Sequence, residues 1–111
     1  MHKLKIAVFG LGYVGMSLAV LMGTRHVVGV YDINKQKMDS VRNGMSTIED
    51  ADIQTYLDEG ISEVNVLYNR DELIAGSDYA IIATPTNFDT ETGYFDTSSV
   101  DECISKIIEV N

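Results

Sequence analysis

Lys5-Ile6-Ala7-Val8-Phe9-Gly10-Leu11-Gly12-Tyr13-Val14-Gly15 is the stretch from which the rest of the chain can be read. A short apolar run passes straight into Gly-x-Gly-x-x-Gly, and no further glycine or proline interrupts the sequence until Gly23. In that context each glycine has a task. Gly10 lets the chain turn tightly off a strand, Gly12 lacks a Cβ and lets a pyrophosphate approach the backbone, and Gly15 lets a helix pack closely on the sheet. The helix start offers free N–H groups and a partial positive charge to phosphates. The stretch therefore predicts a strand, a turn and a helix that together hold a dinucleotide, with Gly10, Gly12 and Gly15 as cofactor-binding residues. Tyr13 lies inside the loop and either touches the cofactor or packs on the next loop.

Working outward, strand one covers Leu4 to Phe9 and the first helix Gly12 to about Gly23, apolar nearly all round and so expected to be largely buried. Val27 to Tyr31 is a second continuous apolar run of the kind parallel strands show. A helix from about Asn34 to Arg42 turns Met38 and Val41 inward and ends at Asn43-Gly44, where Gly44 suits a left-handed cap. Thr47 with Asp50 three residues on resembles a capping box for a helix from about Glu49 to Glu59, striped by Ile53, Tyr56 and Leu57 and ended by Gly60. Val64 to Leu67 is a third strand, Asp71 to Ala75 a helical turn, and Tyr79 to Ala83 a fourth strand. A polar loop from Asn87 to Asp96 leads to a last helix over about Ser98 to Val110, with Val100, Cys103, Ile104, Ile107 and Ile108 inward at helical spacing.

This alternation predicts an α/β, Rossmann-like fold: a parallel sheet of strand order 3-2-1-4 with helices on both faces. In a doubly wound sheet a fifth strand would follow. Its absence leaves strand four as an apolar edge that invites pairing, so residues 1–111 are expected to be one incomplete cofactor domain of a longer enzyme. Two chains can pair at that edge as a homodimer, or the tail of one can cover it.

Composition narrows the partners. The 111 residues carry a formal net charge of −9. Phosphate polymers and anionic membranes would be repelled, so neither nucleic acid nor membrane is an expected partner. A dinucleotide remains compatible, because a local dipole and backbone donors can hold it. No apolar run approaches the roughly 18 residues of a membrane span. Met1-His2-Lys3 leads directly into strand one with no secretory signal, and the single cysteine suits a reducing, cytoplasmic setting.

Asp32 lies 20 residues after Gly12, at the end of strand two. A carboxylate there accepts the adenosine ribose hydroxyls and repels a 2′-phosphate, which favours NAD over NADP; the competing role is a helix-capping Asp before Asn34. Lys37, one turn into the next helix, can reach the same ribose, although lysines in such places are more often solvated. Thr84-Pro85-Thr86 follows strand four at the carboxyl edge of the sheet, where ligands bind. Thr84 and Thr86 are candidates for the pyrophosphate or nicotinamide ribose, set against an ordinary turn built on Pro85. His26 is expected at the surface. His2 and His26 have no ligand-spaced companions, so no metal site is expected. Cys103 reads as a small core residue with nothing to activate it. No catalytic residue is assigned.

Three further stretches extend the pattern of the opening motif: Tyr31-Asp32-Ile33, Ile81-Ile82-Ala83-Thr84-Pro85-Thr86-Asn87 and Tyr94-Phe95-Asp96-Thr97-Ser98-Ser99-Val100. With Lys5 to Ser17 they resemble the N-terminal domain of the UDP-glucose 6-dehydrogenase family, within the wider UDP/GDP-sugar dehydrogenases. The resemblance covers essentially the whole chain and implies a parent enzyme that oxidises UDP-glucose to UDP-glucuronate, a polysaccharide precursor, in two NAD-linked steps. It implies that Val14 contacts the cofactor through the loop, that Asp32 and Lys37 bind the adenosine ribose, and that Thr86 lies near the reactive half of the cofactor. The family's catalytic cysteine, its assisting lysine, asparagine and aspartate, and its sugar site have no matching positions here. The chain alone is thus expected to bind NAD without catalysis, meeting UDP-glucose only through the missing domains. A stand-alone NAD-binding or sensor module, and a parent acting on another nucleotide sugar such as UDP-N-acetylmannosamine or GDP-mannose, or on a hydroxy acid, are the alternatives.

Overall fold

The computed structural model describes residues 3–83, 87–88, 95–96, 101, 104–105 and 107–108. Its elements run β1 (Lys5–Phe9), α1 (Tyr13–Met22), β2 (Val27–Tyr31), α2 (Lys35–Arg42), α3 (Ala51–Asp58), β3 (Val64–Val66), α4 (Arg70–Ala75), β4 (Tyr79–Ile82), β5 (Asn87–Phe88) and β6 (Phe95–Asp96). The four longer strands form one parallel sheet ordered β3-β2-β1-β4. The chain leaves β1 towards β2 and β3, then returns across them to add β4 on the other side. The order therefore reverses at β1, which puts the loops after β1 and β4 beside the crevice where such sheets take ligands.

Side chains alternate across each strand, and both faces of β1 are filled. Ile6 and Val8 join Val28, Val30, α1, α2 and α3 in one core, while Ala7 and Phe9 join Leu73 and Ile74 of α4 in a second. Ile107, which is helical, packs on the second core. Met38 and Val41 are buried on α2, Gly44 ends that helix with φ 81°, and Ile53, Tyr56 and Leu57 pack inward from α3. Leu73 of α4 occupies the space that a side chain on Gly29 would need.

Several expectations change. The first helix is not largely buried: it presents Gly15, Met16, Ala19 and Val20 to the core but leaves Tyr13, Val14 and Leu21 exposed. A helix lying on a sheet buries only the side that meets another element, whatever the other side is made of. Thr47 does not cap α3. Asp50 does, accepting from the N–H groups of Asp52 and Ile53 at 3.0 and 3.1 Å. His26 is half-buried and its Nδ1 accepts the Leu4 N–H at 3.1 Å, which ties the start of β2 to that of β1. The stretch read as a polar loop holds a two-stranded antiparallel pair, Asn87 opposite Asp96 and Phe88 opposite Phe95. Near the end of the chain Ile104 and Ile108 are exposed rather than inward. Val100 and Cys103 lie outside the described residues.

Candidate functional site

The glycine loop turns off β1 at Gly10, whose φ of 101° is closed to residues with a side chain except under strain. Two hydrogen bonds fix the turn. The Gly10 N–H donates to the Tyr31 carbonyl at 2.9 Å, and the Leu11 N–H donates to Asp32 Oδ2 at 2.7 Å. The end of β2 thus holds the loop that leaves β1. Leu11 itself is fully buried in the core. The Gly10 carbonyl lies against α1, where a Cβ on Gly15 would overlap its oxygen, so only glycine admits this approach. Beside Gly12, by contrast, a Cβ would meet nothing within 4 Å. One glycine is needed for a close contact inside the protein, and the other faces open space where a ligand can reach the backbone.

The start of α1 differs from those of α2, α3 and α4. Side chains cap α2 (Asn34), α3 (Asp50) and α4 (Asn69), but no side chain caps α1 and no acidic residue stands in its first turn. The first N–H groups of a helix have no partner within it. Here no side chain caps them and no acidic side chain in the first turn competes with or repels an anion, an arrangement suited to a group such as a pyrophosphate. Tyr13 and Val14, 66% and 62% exposed, stand at this opening.

Asp32 is half-buried at the end of β2. Besides Leu11, it accepts the Asn34 N–H through Oδ1 at 2.7 Å. It is not the cap of α2; that is Asn34, which accepts from Gln36 and Lys37 N–H at 3.0 and 3.4 Å. A carboxylate has about four acceptor positions. With one backbone donor on each oxygen, Asp32 keeps capacity for hydroxyl groups, which is what binding a ribose requires. Lys37 follows in the first turn of α2, half-buried.

Gly10, Gly12, Tyr13, Val14, Gly15, Asp32 and Lys37 are thus carried by the loops after β1 and β2 and the helix starts they lead into, and Asp32 bonds directly to the glycine loop. Thr84 and Thr86 lie outside the described residues. Among the described residues no group of acidic, histidine or cysteine side chains is arranged to hold a metal ion, and no helix is long and apolar enough to cross a membrane. A separate cavity of about 150 Å³ lies on the α4 side of the sheet, lined by Lys5, Val27, Leu73 and Gly76 among others, and includes no residue of the glycine loop.

Sequence reading missed Thr47. Its hydroxyl donates to the Leu11 carbonyl at 2.7 Å, from a loop 36 residues further along the chain. Only the fold brings the two together. Gln54 was also missed: its side chain accepts the Ser46 N–H and donates to the Gly44 carbonyl, both at 2.9 Å, and so braces the loop that carries Thr47.

Comparison with known proteins bears on the family and the fold. The chain is 44% identical over 108 residues to a UDP-glucose 6-dehydrogenase of Streptococcus pneumoniae, covering 97% of this chain and 27% of that protein. Among solved structures, a UDP-glucose dehydrogenase from the hyperthermophilic archaeon Pyrobaculum islandicum superposes with a TM-score of 0.84 at 27% identity, over 96% of this chain and 25% of that one. A GDP-mannose dehydrogenase from Pseudomonas aeruginosa, solved as a ternary complex, gives 0.83 at 26% identity, over 92% of this chain and 24% of that one. The chain therefore spans about a quarter of the length of these relatives. Residues 4–111 match the family described as "UDP-glucose/GDP-mannose dehydrogenase family, NAD binding domain", and the chain belongs to that family, as its NAD-binding domain.

Proposed function

We propose that this chain holds NAD for a dehydrogenase that oxidises UDP-glucose at C6, and that its own residues bind and orient the cofactor rather than act on the sugar. The observation that carries this is the uncapped start of α1, set beside a glycine loop whose apex is tied to Asp32. The N–H groups of the loop and of the first turn hold the pyrophosphate. Asp32 accepts the adenosine ribose hydroxyls, with Lys37 beside it. Val14 and Tyr13 flank the bound dinucleotide, and Thr84 and Thr86 serve its nicotinamide half. When bound, NAD supplies the hydride acceptor. The carboxylate of Asp32 disfavours a 2′-phosphate, so NAD is preferred to NADP.

UDP-glucose is the preferred substrate because curated relatives at 44% and 34% identity, from Streptococcus pneumoniae and Campylobacter jejuni, carry that activity in their names. The sugar site and the nucleophile belong to parts of the parent enzyme beyond this chain. The setting is cytoplasmic. The outer side of β4, where Tyr79 is exposed, is the edge at which a second copy pairs.

Calorimetry tests the binding role: NAD binds the chain, NADP binds more weakly, and UDP-glucose does not bind. Equal binding of NADP, or binding of UDP-glucose alone, contradicts it. Turnover of UDP-glucose but not GDP-mannose by the parent enzyme tests the choice of sugar, and the reverse preference contradicts that choice.

A further inference from the structure

We infer that Thr47, from the loop between α2 and α3, is a positioning residue for the pyrophosphate-binding backbone; this rests on NAD being the ligand of the glycine loop. Both polar backbone groups of Leu11 are held by side chains remote in sequence. Its N–H donates to Asp32 and its carbonyl accepts from Thr47, both at 2.7 Å, while the Leu11 side chain is fully buried. No peptide bond among the described residues is cis. In a planar trans peptide the carbonyl and the following N–H point in opposite directions. By fixing the Leu11 carbonyl towards the α2–α3 loop, Thr47 aims the Gly12 N–H away from that loop. Gly12 also has open space beside it, unlike Gly15 in the same loop. Asp32 acts likewise one peptide earlier: it holds the Leu11 N–H and so turns the Gly10 carbonyl the opposite way, the carbonyl that packs on Gly15.

Thr47 is itself firmly presented. Gln54 bridges Gly44 and Ser46, and Ser46 Oγ both donates to the Ile48 carbonyl at 2.9 Å and accepts the Ile48 N–H at 3.1 Å. The residues on either side of Thr47 are therefore pinned, and its hydroxyl arrives at Leu11 without a large ordering cost. Preorganisation of this kind lowers the entropy that a ligand must otherwise spend to order the loop.

The experiment compares the wild-type chain with Thr47→Val, which keeps the shape and loses the hydroxyl, and Thr47→Ser, which keeps the hydroxyl. Loss of one neutral hydrogen bond predicts an NAD Kd weaker by about two- to tenfold in Thr47→Val, with Thr47→Ser close to wild type. In the ligand-free chain, the Gly12 amide resonance moves in Thr47→Val and returns in Thr47→Ser. A wild-type Kd in Thr47→Val, equal weakening in both variants, or an unmoved Gly12 amide in Thr47→Val overturns the inference. The amide readout needs no ligand, so it judges Thr47 even if the wild-type chain binds no NAD, a result that instead overturns the proposed cofactor role.

Discussion

Replacing Asp32 with alanine separates the two tasks given to that carboxylate, because each has its own readout. Inside the protein, Asp32 accepts the Leu11 and Asn34 N–H groups at 2.7 Å each. The Asn34 donor is exposed and finds water after the substitution, so its loss costs little. The Leu11 donor is part-buried and loses a charged acceptor, at a cost of about 1.5–3 kcal/mol. Taking about 2 kcal/mol, the melting temperature of a domain of this size falls by about 8 °C. Towards the ligand, removing the carboxylate removes its repulsion of a 2′-phosphate. Two unit charges about 4 Å apart interact by about 1 kcal/mol in water and more in partly buried surroundings, so the preference for NAD over NADP narrows by at least about fivefold. Differential scanning calorimetry measures the first effect and titration calorimetry with both cofactors the second. An unchanged NAD/NADP ratio contradicts the ribose-facing role, and an unchanged melting temperature contradicts the tie between β2 and the glycine loop.

Gly15→Ala places a Cβ on the Gly10 carbonyl, and relieving that overlap moves backbone; stability falls by about 1–3 kcal/mol and NAD binding falls with it, so a variant that melts and binds like wild type contradicts the packing described for the loop. Asp50→Ala removes the cap of α3 and costs about 0.5–2 kcal/mol with NAD affinity unchanged, as denaturant unfolding and titration calorimetry check. Leu73→Ala empties the space above Gly29 and costs about 2–5 kcal/mol, measured by urea unfolding.

Much of the fold was legible because its signals are local or periodic. The positive φ of Gly10, the inward Met38 and Val41, and the left-handed Gly44 each follow from a residue type at a spacing. The strand order follows from the alternation of elements. The residues that sequence did not place are those whose partners are distant or whose setting is a matter of coverage. Thr47 and Asp50 fit the spacing of a capping box, yet Asp50 stands next to the helix and caps it, which frees Thr47 for Leu11, 36 residues away. The apolar character of Leu21, Ile104 and Ile108 predicted burial, but exposure depends on which neighbours arrive, and composition does not say. The spacing of Asp32 points to ribose binding or helix capping but not to its bond with the glycine loop, because that bond joins two loops that only the pairing of β1 with β2 brings together.

The most direct measurement is an NMR titration of the ¹⁵N-labelled chain with NAD. Saturable shifts are expected at the amides of residues 10–15 and 32–37, at the carboxyl ends of β1 and β2. No saturable change, or changes confined to Lys5, Val27 and Gly76 around the cavity on the α4 side, would contradict the assignment of the glycine loop and Asp32 as the cofactor site.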